Sequence, residues 1–239
     1  MLTYIPAAER HHAAPVAWLN SYFLFSFADY YDADNVQFGP LRVFNDDTVQ
    51  ANSGFPQHPH SEMEIVTLVL DGEVAHEDTI GNKTSIKKGE VQRMTAGTGV
   101  AHSEMNDTDK VLQIYQLWFV SNQKNIAPSY EQKDLDFLDS KNELVPLVTG
   151  QKVLEDVLYM NSNSTIYWSN LRSGKEVEFK TFPIRGTFIY VKEGTIYVNG
   201  SELGLNDQAR ITDENVLQIR ADTDAQFILI DLPMTEANF

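Results

Sequence analysis

The chain of 239 residues is 42% apolar, contains no cysteine and has no apolar run near the ~18 residues that span a bilayer. These properties fit a soluble globular protein of one or two domains with a sizeable core, and they exclude disulfides, thiolate ligands and cysteine nucleophiles. The formal charge of −16 is spread evenly, with 8 Lys/Arg against 16 Asp/Glu in residues 1–125 and 10 against 18 in residues 126–239, which argues against direct contact with nucleic acid phosphates.

Met1-Leu2-Thr3-Tyr4-Ile5-Pro6 lacks the basic region and apolar core of a secretory signal, so a cytoplasmic protein is expected, without a membrane partner and monomeric. His11 and His12 are adjacent and point apart on almost any backbone, which suits surface or local hydrogen bonding rather than chelation. Residues 21–31 are rich in aromatic and β-forming residues and read as a strand or strand-like core segment. Leu41 to Asn45 reads as a short strand ended by Asp46-Asp47. After His58-Pro59-His60, the run Ile65 to Leu70 is a buried strand stopped by Asp71-Gly72, and Glu73 to Asp78 returns from that hairpin. His76 lies in this polar return without a nearby second ligand, so it is expected to be exposed. Gly97 and Gly99 permit a tight backbone before His102, and Val111 to Val120 closes the first sheet system.

Composition shifts over residues 121–145, which places a domain boundary after residue 128. The best helix candidate is a short connector over Glu131 to Leu138. Strands resume at Thr165, Val177, Thr187 and Phe227. The stretch Ile189 to Ile196 echoes Leu68 to Val74, a weak internal repeat whose second copy offers no histidine. Two packed antiparallel barrels, residues 1–128 and 129–239, are the economical architecture.

The chemistry concentrates in two short clusters. Residues two apart on a strand share a face, so His58 and His60 look one way and His102 and Glu104 can meet them. Three neutral imidazoles and a carboxylate would hold a divalent iron, manganese, nickel, copper or zinc ion, and the donor set does not choose among them. All six histidines lie before residue 103, so any histidine-based site belongs to the first half. Glu64 is a rival carboxylate, because Glu62 and Glu64 share the parity of His58 and His60; its other reading is a partner that orients an imidazole.

The pattern Gly54-x3-His58-x-His60-x3-Glu64-x7-Gly72 resembles the first cupin motif, and Gly89-x7-Gly97-x4-His102-x3-Asn106 resembles the second. His58-Pro59-His60 with MTAGTGVAHSE (residues 94–104), supported by Phe25 to Asp32 and Leu41-Arg42-Val43, resembles the pirin family of bicupins, including bacterial members described as quercetin 2,3-dioxygenases. The resemblance covers most of residues 15–120, and the second half matches more loosely. It implies an all-β fold of two jelly-roll-like cupin barrels, with metal held only in the first by His58, His60, His102 and Glu104. It also implies dioxygen-dependent opening of a flavonol ring with release of carbon monoxide, and Glu104 as the nearest general base. Phe55 and Met94 lie near the motifs and could line an apolar slot for a flat aromatic substrate. The alternatives are a metal-binding regulator acting through protein partners and a cupin enzyme with another small aromatic substrate; a site open to a cavity favours an enzyme.

Overall fold

The computed structural model describes residues 1–151 and 154–235. The first half runs β1 (Leu2–Ile5), β2 (His11–Ala13), β3 (Leu19–Phe23), β4 (Leu41–Val49), β5 (Ser53–His60), β6 (Met63–Asp71), β7 (Glu73–Asp78), β8 (Lys83–Lys87), β9 (Glu90–Thr95), β10 (Val100–Asn106), β11 (Leu112–Val120) and β12 (Ser129–Asp134). The second half runs β13 (Val145–Thr149), β14 (Leu158–Tyr159), β15 (Thr165–Leu171), β16 (Glu176–Lys180), β17 (Arg185–Glu193), β18 (Ile196–Val198), β19 (Ser201–Leu203), β20 (Gln208–Thr212), β21 (Val216–Ala221) and β22 (Ala225–Pro233). Among the described residues no helix is long and apolar enough to cross a membrane.

Each half is a seven-stranded sheet facing a four-stranded one. The first pairs the order β12-β9-β6-β11-β4-β3-β2 with β5-β10-β7-β8, and the second pairs β1-β20-β17-β22-β15-β13-β14 with β16-β21-β18-β19. The expected two-barrel, all-β architecture is what forms. The weak repeat is a topological one as well: β6 lies between β9 and β11 as β17 lies between β20 and β22.

The two large sheets pack against each other through one shared apolar core, because alternate residues of their strands face opposite ways. Phe44 of β4 sits 5.6 Å from Phe188 and 5.2 Å from Tyr190 of β17, ring centroid to ring centroid, and Tyr115 and Trp168 join the same buried cluster. Polar groups fasten the seam. Arg10 Nη1 donates to Tyr190 Oη (2.7 Å), which donates to Asp46 Oδ2 (2.8 Å), and Arg210 Nη2 donates to Asn35 Oδ1 (2.7 Å).

Two expectations of local structure change. Asp46-Asp47 does not end β4, which continues to Val49; Asp46 is bonded across the seam to Tyr190 and Asp47 accepts from Ser21 Oγ on β3, so each carboxylate has a partner that lets the strand go on. The connector over Glu131 to Leu138 is not helical. Its first part is the edge strand β12, paired with β9 in the register Gln132↔Gln92, and a 3-10 turn spans Phe137–Asp139. Its polar side chains serve as barrel-edge partners, as in the Arg93–Glu131 ion pair of 2.8 Å. The sheet of the first half therefore extends past residue 128. Conversely β1 pairs with β20 (Leu2↔Ile211, Ile5↔Gln208), so the first strand of the chain completes the second sheet. The segment over 21–31, read as a strand or strand-like core segment, is strand as far as Phe23 and buried irregular chain over Leu24 to Ser26.

Phe44 is fully buried where the two large sheets meet. Phe44→Ala should lower unfolding free energy by about 3–5 kcal/mol, measured as a shift of the urea midpoint.

Candidate metal centre

β10 is the organising strand of the small sheet. Its burial alternates without a break, so that His102, Glu104 and Asn106 turn inward while Ala101, Ser103 and Met105 are half-buried on the other side. β5 lies on one side with His58 opposite His102, and β7 on the other with His76 opposite Glu104 and Asp78 opposite His102. The β5 register slips between His102 and Glu104, bringing Phe55 opposite Glu104. Gly54 permits this close approach, since a Cβ there would lie 2.3 Å from the Glu104 carbonyl oxygen.

The rings of His58, His60 and His102 converge, with centroids 4.5–4.9 Å apart, and their ligating atoms lie within 4.8 Å of one another. His76, His102 and Glu104 form a second such group, entirely buried and sharing His102. His58 Nδ1 lies 2.8 Å from the Pro56 carbonyl oxygen; it must donate there, which leaves the Nε2 lone pair free. His102 Nε2 is buried with no hydrogen-bond partner among the described residues. Burial, with His58 and His76 beside it, holds His102 down to about 3, and burial with His102 and His58 holds His60 down to about 4. Both rings are therefore neutral at neutral pH, the form that ligates metal. A buried imidazole nitrogen without a partner, beside two other imidazoles, fits a divalent cation.

The carboxylate is aimed from below by the large sheet. Glu104 Oε2 accepts from Gln116 Nε2 of β11 at 2.6 Å, and Oε1 accepts from Thr67 Oγ1 of β6 at 3.3 Å. Beside it opens a cavity of about 370 Å³, lined by Phe23, Phe27, Phe55, Trp118, His58 and Glu104 and floored by Asn45, Asp47 and Gln116. Trp118 stands edge-on to Phe27 (5.3 Å) and packs on His60 (4.8 Å). Burial pushes the Asp47 carboxyl up to about 7; the Ser21 hydroxyl offsets this, and Asp46 and Glu104 add to it.

The structure brings His58, His60, His102, Glu104 and Phe55 to one place and leaves Glu64 and Met94 elsewhere. Glu64 accepts from Thr95 Oγ1 (2.9 Å) and from Asn161 Nδ2 (3.2 Å) of the second half. The parity of β5 does not carry across the Ser61–Glu62 corner, where Glu62 has a left-handed φ of 57°; within β6, Glu64 lies on the face of Val66 and Leu68 that meets the other barrel. Its partners are thus a hydroxyl and an amide rather than an imidazole. Met94 is fully buried in a small apolar cluster with Ile65, Ala96 and Val100 and does not border the cavity. His12 bonds Asn20 and His11 stacks on Tyr30, local contacts as expected.

Comparison with known proteins decides the family. Residues 7–119 match the pirin domain and residues 147–232 the quercetinase C-terminal cupin domain. A quercetin 2,3-dioxygenase of Escherichia coli (strain K12) is 39% identical over 229 residues, 95% of this chain and 96% of that one. The chain belongs to the pirin family. A pirin-like protein of Caulobacter vibrioides is 37% identical over 93% of this chain and 96% of its own. The bacterial pirin YhhW from Escherichia coli, solved in complex with nickel(II), superposes with a TM-score of 0.92 at 36% identity, covering 98% of this chain and 100% of that one.

The sequence reading of this pirin missed His76. Far from exposed, it is 1% accessible, its Nε2 is 3.1 Å from Asp78 Oδ2, and its Nδ1 faces His102 Nδ1 at 3.4 Å and Gln92 Nε2 at 3.4 Å. The signal was the alternation Val74-x-His76-x-Asp78, the buried residues of a strand whose other members, Glu73, Ala75 and Glu77, are half-buried or exposed.

His58→Ala and His102→Ala should each release the metal while most of the β-fold persists, as measured by metal analysis and circular dichroism. Glu104→Gln should weaken metal binding whereas Glu64→Gln leaves it near wild type, and His76→Phe should weaken it by about 10–100-fold in chelator competition. Asp47 gives a pH signature. Its folded pKa lies above its unfolded one, so the folded state holds the extra proton between about pH 4 and 7 and stability falls as pH rises through that window. Asp47→Asn lacks this loss, and its Tm relative to wild type should rise from pH 5 to pH 8.

Proposed function

We propose that this pirin is a metal-dependent dioxygenase that opens a flavonol-type aromatic ring with dioxygen, using His58, His60, His102 and Glu104 as metal ligands. The observation that carries the reading is the cavity. A void of about 370 Å³ walled by Phe23, Phe27, Phe55 and Trp118 reaches His58 and Glu104 directly, within the size range of small-molecule sites, about 300–1,000 Å³. A purely structural metal site is closed by its protein ligands and needs no such void. The two quercetin 2,3-dioxygenase-type matches, to the whole chain and to its second domain, support the same substrate class.

His58, His60, His102 and Glu104 would hold a divalent ion, which would supply Lewis acidity toward a substrate hydroxyl. The chain does the rest. Glu104 sits where it can take the hydroxyl proton, and the bonds from Gln116 and Thr67 fix its orientation. The aromatic walls hold a flat ring and keep water from it. In the overall reaction both atoms of dioxygen enter the products, two carbon–carbon bonds of the heterocycle break, and one carbon leaves as carbon monoxide.

The test is quercetin turnover on protein loaded separately with iron(II), manganese(II), nickel(II), copper(II) and zinc(II), with and without oxygen. Loss of flavonol absorbance that requires oxygen, metal and His58 supports the assignment. A fully loaded protein with no turnover under any metal overturns it.

A further inference from the structure

One row of side chains crosses the floor of the first barrel. In register from strand to strand it reads Phe23 on β3, Asn45 on β4, Gln116 on β11, Thr67 on β6 and Gln92 on β9. Three of its polar members already have work at the metal centre: Gln116 and Thr67 donate to Glu104, and Gln92 faces His76. Asn45 is different. It is 3% exposed, its Oδ1, like the Oε1 of Gln92, has no donor among the described residues, and unlike Gln92 it borders the cavity. Leaving such an acceptor bare costs stability unless something in the cavity meets it. Two residues along the same face of β4 stands Asp47, also 3% exposed and bordering the same cavity, its carboxylate held by Ser21 Oγ.

We propose that Asn45 and Asp47 form the specificity floor of the cavity, accepting hydrogen bonds from phenolic hydroxyls and thereby selecting polyhydroxylated over bare aromatic rings. The inference rests on the reading that the cavity takes an aromatic substrate. The walls are apolar and contact any flat ring alike, so they supply affinity without discrimination. The two oxygen-bearing side chains on the floor supply the discrimination, since a ring without hydroxyls leaves the Asn45 oxygen bare and offers Asp47 no donor beyond Ser21. Asp47, held near the protonation boundary by burial, keeps acceptor capacity in either form.

The experiment compares anaerobic binding of quercetin and 3-hydroxyflavone to the nickel(II)-loaded protein by fluorescence quenching, then repeats it with oxygen to follow turnover. The two ligands share the fused ring and 3-hydroxyl and differ in the remaining hydroxyls. Wild type should bind quercetin about tenfold or more tighter. Asn45→Leu and Asp47→Leu, which remove the acceptor oxygens at similar volume, should each bring that ratio toward one, with nickel content reporting an intact centre. A wild-type ratio near one, or a loss of affinity equal for both ligands in the variants, overturns the proposal. Turnover without discrimination refutes the floor and leaves the dioxygenase reading standing. Floor-dependent discrimination without turnover does the reverse, and failure of both flavonols to bind overturns both.

Discussion

The structure depends on the register of β10 between β5 and β7. Because side chains alternate with a period of two, a slip of one residue would turn His102 and Glu104 outward and Ser103 inward. Two neighbours fix that register at once: His58 and Asp78 flank His102, and Phe55 and His76 flank Glu104. The slip on the β5 side between His102 and Glu104 falls where Gly54 lets the backbones approach. A bulge beside a site re-aims a side chain that regular pairing would misplace. Here it sets Glu104 over the large sheet, within reach of Gln116 and Thr67.

The second barrel stiffens the first from behind. The large sheet of the first barrel buries one face against its counterpart through Phe44, Tyr115, Phe188 and Tyr190 and presents the other to the metal centre. Residues of β4 therefore serve both jobs in alternation, with Phe44 and Asp46 at the seam and Asn45 and Asp47 at the cavity. A sheet held this way has little freedom to shift, and fixed outer partners are what a metal site needs to hold its ligands in place.

How much of this is legible in the sequence follows from the same alternation. The candidate ligand pairs His58/His60 and His102/Glu104 could be read because each sits within one uninterrupted strand. Glu64 could not be separated from them, since parity is lost at the Glu62 corner. His76 hid among Glu73, Glu77 and Asp78, whose charge suggests a solvated hairpin although only one side of β7 faces water. Asp46 and Asp47 suggested a strand end because their partners Tyr190 and Ser21 lie 144 and 26 residues away. Polar residues at the edge strand β12 suggested a connector for a similar reason. What the sequence hides is therefore mostly polar groups whose justification is a distant partner.

The repeat offers an internal comparison of a working barrel with its counterpart. Matching the turn glycines Gly72 and Gly194 sets Thr67 against Ile189, and strand pairing carries the match outward: Gln116 against Leu229, Gln92 against Ala209, Asn45 against Tyr167. The floor that is polar in the first barrel is mostly apolar in the second, and Ile189, Ala209 and Leu229 lie in a buried apolar cluster against which Tyr167 packs. This is the expected covariation. Buried amides and hydroxyls are tolerated where ligands need orienting and cost stability where they have nothing to hold. A barrel without histidines gains by filling the same row with hydrocarbon. The polar floor of the first barrel is thus as much a mark of the site as the histidines, and Asn45, whose Oδ1 has no donor among the described residues, belongs to it by position as well as by chemistry.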